Sequence, residues 1–269
     1  MLWSGESESN VDPEYIQEYR TLYTKHWWWR AREEAIVSTL RHIQPAGGFG
    51  HILDVGCGDG LLFDRLLEFG EPEGIEPDAS MLSSRSPHRA RIHVCPFDET
   101  FRSDKQYGLI LMLDVLEHLS NAVTAVAKVR SLLRPGGMFL ATVPAFQLLW
   151  TNHDVINHHV RRYTRKTLQE VIEAGGMLVN DEQYWFNWLF VPKLTARVIE
   201  SVFHTQPKNP RIPPDWLNRC LYLFSRIENR ALGRFPIPFG SSLMALAHKT
   251  QTDASEYRRI RGEVDSLRV

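Results

Sequence analysis

Ile52-Leu53-Asp54-Val55-Gly56-Cys57-Gly58-Asp59-Gly60 decides how this chain folds. A short apolar run ends here, a glycine turn follows, and residues 61–69 carry a helical pattern stopped by Gly70. Glycines permit unusual φ angles and let a ligand lie directly against the turn. The spacing is GxGxG. A dinucleotide fingerprint needs GxGxxG, and Leu61 stands where its third glycine would be. The turn is therefore shaped for a nucleoside-bearing ligand without a pyrophosphate. Glu76 follows Asp54 by 22 residues, at the end of a second short strand. A carboxylate there is able to accept both hydroxyls of a ribose.

Outward from this turn, apolar runs alternate with helical patterns. Strand candidates fall at 51–55, 74–76, 92–95, 107–113 and 138–143, and helix candidates at 61–69 and 121–133. Tyr107 to Leu113 is continuously apolar, as a central parallel strand buried on both faces should be. Thr167-Leu-Gln-Glu170 reads as a capping box that starts a helix, Gly175-Gly176 ends it, and Ser242 to Ala247 is a final strand. The alternation predicts an α/β fold with a seven-stranded, mostly parallel sheet and helices on both faces. Before it, Pro13 to Leu40 reads as one helix, with Tyr15, Tyr19, Tyr23 and Trp27 stacked on one face. Such a stripe packs on a core or lines a cleft as a lid. The run His26-Trp27-Trp28-Trp29-Arg30 is too aromatic all round for an ordinary amphipathic helix and favours the lid.

Composition sets the limits. With 269 residues, 43% hydrophobic and 23% charged, the chain is globular rather than disordered or collagenous. The formal charge of -1 supplies no global field for nucleic acid. Cys57, Cys95 and Cys220 have no CxxC or metal-ligand spacing, which speaks against a disulfide framework or zinc site and fits a reducing compartment. No apolar stretch approaches the roughly 20 residues of a membrane span, and the acidic first residues are unlike a secretory signal. A cytoplasmic protein is expected, with frayed residues 1–12 and no internal repeat.

The chain is similar to class I S-adenosylmethionine-dependent methyltransferases from about residue 27 to residue 248. The similarity is carried by ILDVGCGDG, GIEPDASML, PFDETF, YGLILMLDVLEHL and LLRPGGMFLATVP. It implies a Rossmann-like core with S-adenosylmethionine as cofactor and S-adenosylhomocysteine as product. Asp54, Gly56, Cys57, Gly58 and Gly60 would wrap the methionine part, and Glu76 would hold the ribose, with Ile75 and Pro77 beside the adenosine. Asp98, next to Phe97, would face the adenine amino group, and Leu113 and Asp114 would floor the sulfonium. Arg30 or Arg32 would meet the cofactor carboxylate. HWWWRAREE and the segments 150–154 and 158–164 are similar to a bacterial branch related to the ubiquinone-type O-methyltransferases. The expected organisation is a lid at 1–45, the core at 46–187, a helical insert at 188–239, a final strand at 240–250 and a polar tail at 251–269.

Ligands of open α/β sheets sit beyond the carboxyl ends of the strands, so residues 145–163 are expected over the transferred methyl. His153, His158, His159, Asp154 and Tyr163 are the candidate catalytic groups, a histidine as base with Asp154 orienting it. Tyr19, Tyr23 and Trp27 would meet a largely apolar acceptor. Arg161 and Arg162, with Arg165 and Lys166, either hold an acidic group on the acceptor or form a solvated turn. Asp114-Val-Leu-Glu117-His118 resembles the acid-x-x-Glu-His element of magnesium-dependent O-methyltransferases, but the pattern also occurs in metal-free relatives, and no metal is expected. The insert has two amphipathic helices, at 191–203 and 216–232, around a proline-rich turn, with six basic and two acidic residues between Lys208 and Arg234. It either caps the acceptor site or touches an anionic membrane surface. The expected activity is methyl transfer to oxygen of a small or lipid-like acceptor. Nucleic-acid methylation and a non-catalytic partner subunit are the rivals, and no oligomeric state is read from the sequence.

Overall fold

The computed structural model describes residues 13–203, 210–232 and 237–249, with side chains from residue 18 and without that of Leu232. The expected frayed start, the tail, Pro207, Lys208, Arg234 and the ring of Tyr15 lie outside the described residues. Seven strands are present: β1 (Gly50–Val55), β2 (Gly70–Ile75), β3 (Ile92–His93), β4 (Tyr107–Leu113), β5 (Leu133–Pro144), β6 (Met177–Trp185) and β7 (Ser242–Lys249). They form one sheet in the order β3-β2-β1-β4-β5-β7-β6, parallel except for β7, which is antiparallel to both neighbours. The expected Rossmann-like sheet is therefore the observed one. Leu109 to Met112 of β4 are fully buried because helices cover both faces, which explains their unbroken apolar run.

The helices are α1 (Pro13–Lys25), α2 (Trp27–Ile43), α3 (Phe63–Leu66), α4 (Ala122–Leu132), α5 (Asn152–Ile156), α6 (Arg165–Ala174), α7 (Phe190–Phe203) and α8 (Asp215–Leu232). Two apolar clusters sandwich the sheet. One joins α4 and α6 to the sheet through Val126, Val129, Leu168 and Ile172. The other joins α2 and α3 through Ile36, Leu40, Phe63 and Leu66.

Two local expectations are corrected. The single helix over 13–40 breaks at His26, whose extended backbone starts α2 and whose Nδ1 accepts from the Trp28 amide at 3.1 Å. Burial lowers the His26 pKa to about 4, which keeps the ring neutral and the nitrogen free to accept. Asn218 of α8 bridges the break, accepting from the Trp27 amide and donating to Lys25 O, each at 2.8 Å. The helix assigned to Thr167–Glu170 begins earlier: Thr164 is its cap, and the reciprocal bonds run between Thr164 and Thr167.

Strand order reverses between β1 and β4. Their carboxyl ends, Val55 and Leu113, open on one edge, the position where a doubly wound sheet takes its ligand.

Candidate active site

Gly56, Gly58 and Gly60 all have positive φ, from 54° to 75°. At Gly56 a Cβ would come within 2.7 Å of Val115 Cγ2, so the turn closes against the sheet only without a side chain. Glu76 Oε2 accepts from the Gly58 amide at 2.9 Å and Oε1 from the Asp78 amide at 3.0 Å, which fixes the carboxylate beside the turn. Burial raises its pKa. Asp54 is buried too; burial pushes its pKa up to about 7, opposed by Arg32 and reinforced by Glu76. A cavity of about 60 Å³ opens here, lined by Tyr19, Tyr23, Trp29, Arg32, Asp54 and Leu113 among others. Arg32 crosses its floor, bonding Asp114 Oδ2 at 2.9 Å and Thr142 Oγ1 at 2.7 Å. An ion pair from Arg20 to Asp59 latches α1 over the turn.

Tyr19 and Trp29 also line a second cavity of about 250 Å³, with Leu22, Trp28, Asp114 and His159 among its walls. Asp154 lies fully buried behind it. Arg162 donates to both of its oxygens at 2.8 Å, the Thr151 amide donates at 2.8 Å, and His159 Nδ1 is 2.8 Å away. Burial works to raise the Asp154 pKa, but the hydrogen bonds from His159 and Arg162 outweigh it and hold the carboxyl well below the usual range. With Nδ1–H given to Asp154, His159 Nε2 is left as the acceptor. Glu117 is also fully buried, and among the described residues neither of its oxygens has a hydrogen-bond partner. Burial, then Asp114, raises its pKa well above the carboxylate range. Glu117, His118 and His159 bring ligand atoms within 4.8 Å of one another.

Residues 22–179 match the family described as a methyltransferase domain, more than half of the chain. The chain belongs to the class I S-adenosylmethionine-dependent methyltransferases. It is 27% identical to the ubiquinone biosynthesis O-methyltransferase of Acinetobacter baylyi over 158 residues, 51% of this chain and 65% of that relative. It is 32% identical to the mitochondrial ubiquinone biosynthesis O-methyltransferase of Rattus norvegicus over 217 residues, 64% of this chain and 62% of the relative. The chain thus spans under two thirds of these two relatives. In fold it is similar to the Burkholderia thailandensis 1,6-didemethyltoxoflavin-N1-methyltransferase, solved with S-adenosylhomocysteine (TM-score 0.52, 19% identity, 88% of this chain and 85% of that one). It is also similar to the methyltransferase solved in complex with the Haloferax volcanii Trm112 activator (TM-score 0.56, 15% identity, 89% and 96%). S-adenosylmethionine is the family's cofactor, and the glycine turn follows β1 at the edge where strand order reverses.

Not every residue singled out in the methyltransferase's sequence faces these cavities. Trp27 packs inward on Trp188 and Phe186, at 5.5 and 6.4 Å between ring centroids, because the break at His26 ends the four-residue stripe; Trp28 and Trp29 take its place. Arg30 lies over the Tyr222 ring at 4.4 Å, on the far side of α2 from Arg32. His158 is exposed in a turn with φ 54° and is absent from the cavity wall, whereas His153 stands at its mouth. Tyr163 is buried and donates to Leu116 O at 3.0 Å; burial raises its pKa to about 12, the mark of a core hydroxyl. Arg161 donates to Ser120 O at 2.9 Å, and Arg162, which borders the larger cavity, gives its guanidinium to Asp154 and Ala145 O. Cys57 does line the smaller cavity and also packs against Gly74, where any Cβ would collide with its sulfur, and burial pushes its thiol pKa up. Phe97 is buried against Phe101, Asp98 accepts from Thr100, and Pro77 is half-buried nearby.

Proposed function

We propose that this methyltransferase carries the methyl group of S-adenosylmethionine to a hydroxyl oxygen of a small or lipid-like acceptor, with His159 as the base. The observation that carries this reading is the Asp154–His159 pair, set by Arg162 and turned on the cavity beside Asp114. The acceptor oxygen attacks the methyl carbon in line with the sulfonium, from about 3 Å. The O–C bond forms, the S–C bond breaks, and neutral S-adenosylhomocysteine leaves. His159 Nε2 takes the hydroxyl proton, and the ionised Asp154 steadies the imidazolium. Relatives named for ubiquinone O-methylation support oxygen as the target. Trp28, Trp29 and Leu22 support an apolar acceptor body. Methyl-labelled cofactor offered with matched phenols and anilines is the test. Label on phenol oxygen is expected; label on nitrogen alone, or on neither, overturns the reading.

One observation favours a second reading. The orphaned buried carboxylate of Glu117, with His118 and His159, forms a ligand set for a divalent cation. The set differs from the one suggested by the sequence, since Asp114 is taken by Arg32. Such a cation would polarise an acceptor hydroxyl, and His159 would then be a ligand rather than a base. Turnover that survives exhaustive chelation removes this reading. Turnover lost on chelation and restored by added Mg²⁺ removes the histidine base.

A lipid-like acceptor also gives the insert a purpose. α7 exposes Val191, Val198, Val202 and Phe203, and α8 exposes Trp216, Phe224 and Ile227, with Arg219 and Arg230 at the margin. No helix among the described residues is long and apolar enough to cross a membrane. This pattern supports peripheral contact. Co-sedimentation with anionic but not zwitterionic vesicles is expected; equal recovery in the supernatant in both cases rejects it. The three cysteines are free, which supports a cytoplasmic setting.

A further inference from the structure

Lys193, on the first turns of α7, is a cavity residue that the sequence does not announce. Its neighbours on the same helix face, Arg197 and Glu200, are clamped to the loop after β5. Arg197 donates to Gln147 O and Trp150 O at 3.3 and 3.1 Å, and Glu200 accepts from the Asn152 amide at 2.8 Å. Residues four and seven positions apart share a face, so this clamp turns Lys193 onto the larger cavity.

The other charges buried around that cavity are matched. Asp114 is paired with Arg32, and Asp154 with Arg162 and His159. Glu18 is exposed at the edge, and Glu117 is turned towards His159 Nε2 at 4.0 Å. Among the described residues Lys193 makes no hydrogen bond and no ion pair within contact distance. A half-buried ammonium left unmatched beside apolar rings is costly unless a ligand supplies its counter-charge. We propose that Lys193 is the counter-ion for a single negative charge on the acceptor, so that the methyltransferase takes an apolar, ring-bearing carboxylic acid. One unmatched cation suits a monoanion better than a phosphate dianion, and Trp28, Trp29 and Tyr19 suit a flat ring. Burial, with Arg162 nearby, lowers the Lys193 pKa to about 8, while Asp154 and Asp114 oppose the shift, so the ammonium persists at neutral pH. The proposal deepens the acceptor reading above and rests on it.

The test is calorimetric, on the full chain. S-adenosylhomocysteine is titrated first, which checks the cofactor site independently. 2-Naphthoate and its neutral isostere 2-naphthylmethanol are then titrated into the complex. The acid is expected to bind roughly 10- to 100-fold more tightly than the alcohol. Lys193→Met should erase that preference and leave S-adenosylhomocysteine affinity unchanged, and Lys193→Arg should retain most of it. Equal binding of acid and alcohol, binding of neither, or a preference that survives Lys193→Met overturns the assignment. A protein that prefers the acid but fails to bind S-adenosylhomocysteine would strike down the methyl-transfer reading while leaving the anion site standing.

Discussion

Replacing His159 by alanine is expected to lower turnover roughly 10²- to 10⁴-fold, the usual worth of a positioned general base. Cofactor affinity should not move, because His159 lines the acceptor cavity and is not among the residues of the smaller one. The fold should hold as well. Asp154 loses one partner but keeps the two bonds from Arg162 and the one from the Thr151 amide. The reverse experiment is less clean, since removing Asp154 would strand the Arg162 guanidinium in the interior, at about 3–5 kcal/mol. His153→Ala is the control at the same mouth, and its effect should be small. Single-turnover rates with saturating cofactor give the comparison. Unchanged rates for His159→Ala would end the histidine-base reading.

The second large effect belongs to Glu76. Its two oxygens already sit between the Gly58 and Asp78 amides, so the carboxylate is oriented before any ligand arrives. Two ribose hydroxyls donating to it are worth about 1.5–3 kcal/mol each, so Glu76→Ala should weaken S-adenosylhomocysteine binding on the order of 10²-fold or more. Unchanged affinity would move the ribose elsewhere. A pH signature accompanies this. Burial raises the folded pKa of both Glu76 and Asp54, the latter to about 7. A carboxyl with a raised folded pKa draws stability away as pH climbs from its unfolded to its folded value. From about pH 4 to about pH 7, Asp54 should therefore make the unliganded protein less stable as pH rises, and Glu76 should add to that loss above its ordinary value. Glu76→Gln should shrink that slope in thermal melts, and a slope unaltered by the substitution would contradict the assignment.

The elements read most directly from the sequence are those with local signatures. The glycine turn, Glu76 and the unbroken run of β4 each announce themselves within a few residues, because backbone conformation and two-faced burial act locally. The site beyond the cofactor is less legible. A single buried histidine, His26, breaks the first helix and exchanges Trp27 for Trp28 and Trp29 at the cavity, and periodicity alone does not register a cap that works through a neutral imidazole. Arg30 and Arg32 lie two positions apart, about 200° around a helix, so only one can face the smaller cavity, and the packing of α2 against the sheet selects Arg32. The histidine run after β5 offers several candidate bases, and only the Asp154–Arg162 pairing distinguishes His159 from His158. Lys193 was invisible for a deeper reason: its direction is set by bonds to a loop some forty residues earlier.

The latch between Arg20 and Asp59 bears on the order of events in a catalytic cycle. α1 carries Tyr19 to both cavities, but its ion pair holds it to the glycine turn alone. A ligand held in the smaller cavity lies under α1, so its exchange is expected to require that pair to part, whereas the larger cavity is bordered by the exposed His153. The pair is largely shielded from solvent, with the Arg20 side chain 26% and that of Asp59 2% exposed, so dissolved salt weakens it little, and Arg20→Gln rather than salt is expected to speed exchange at the smaller cavity.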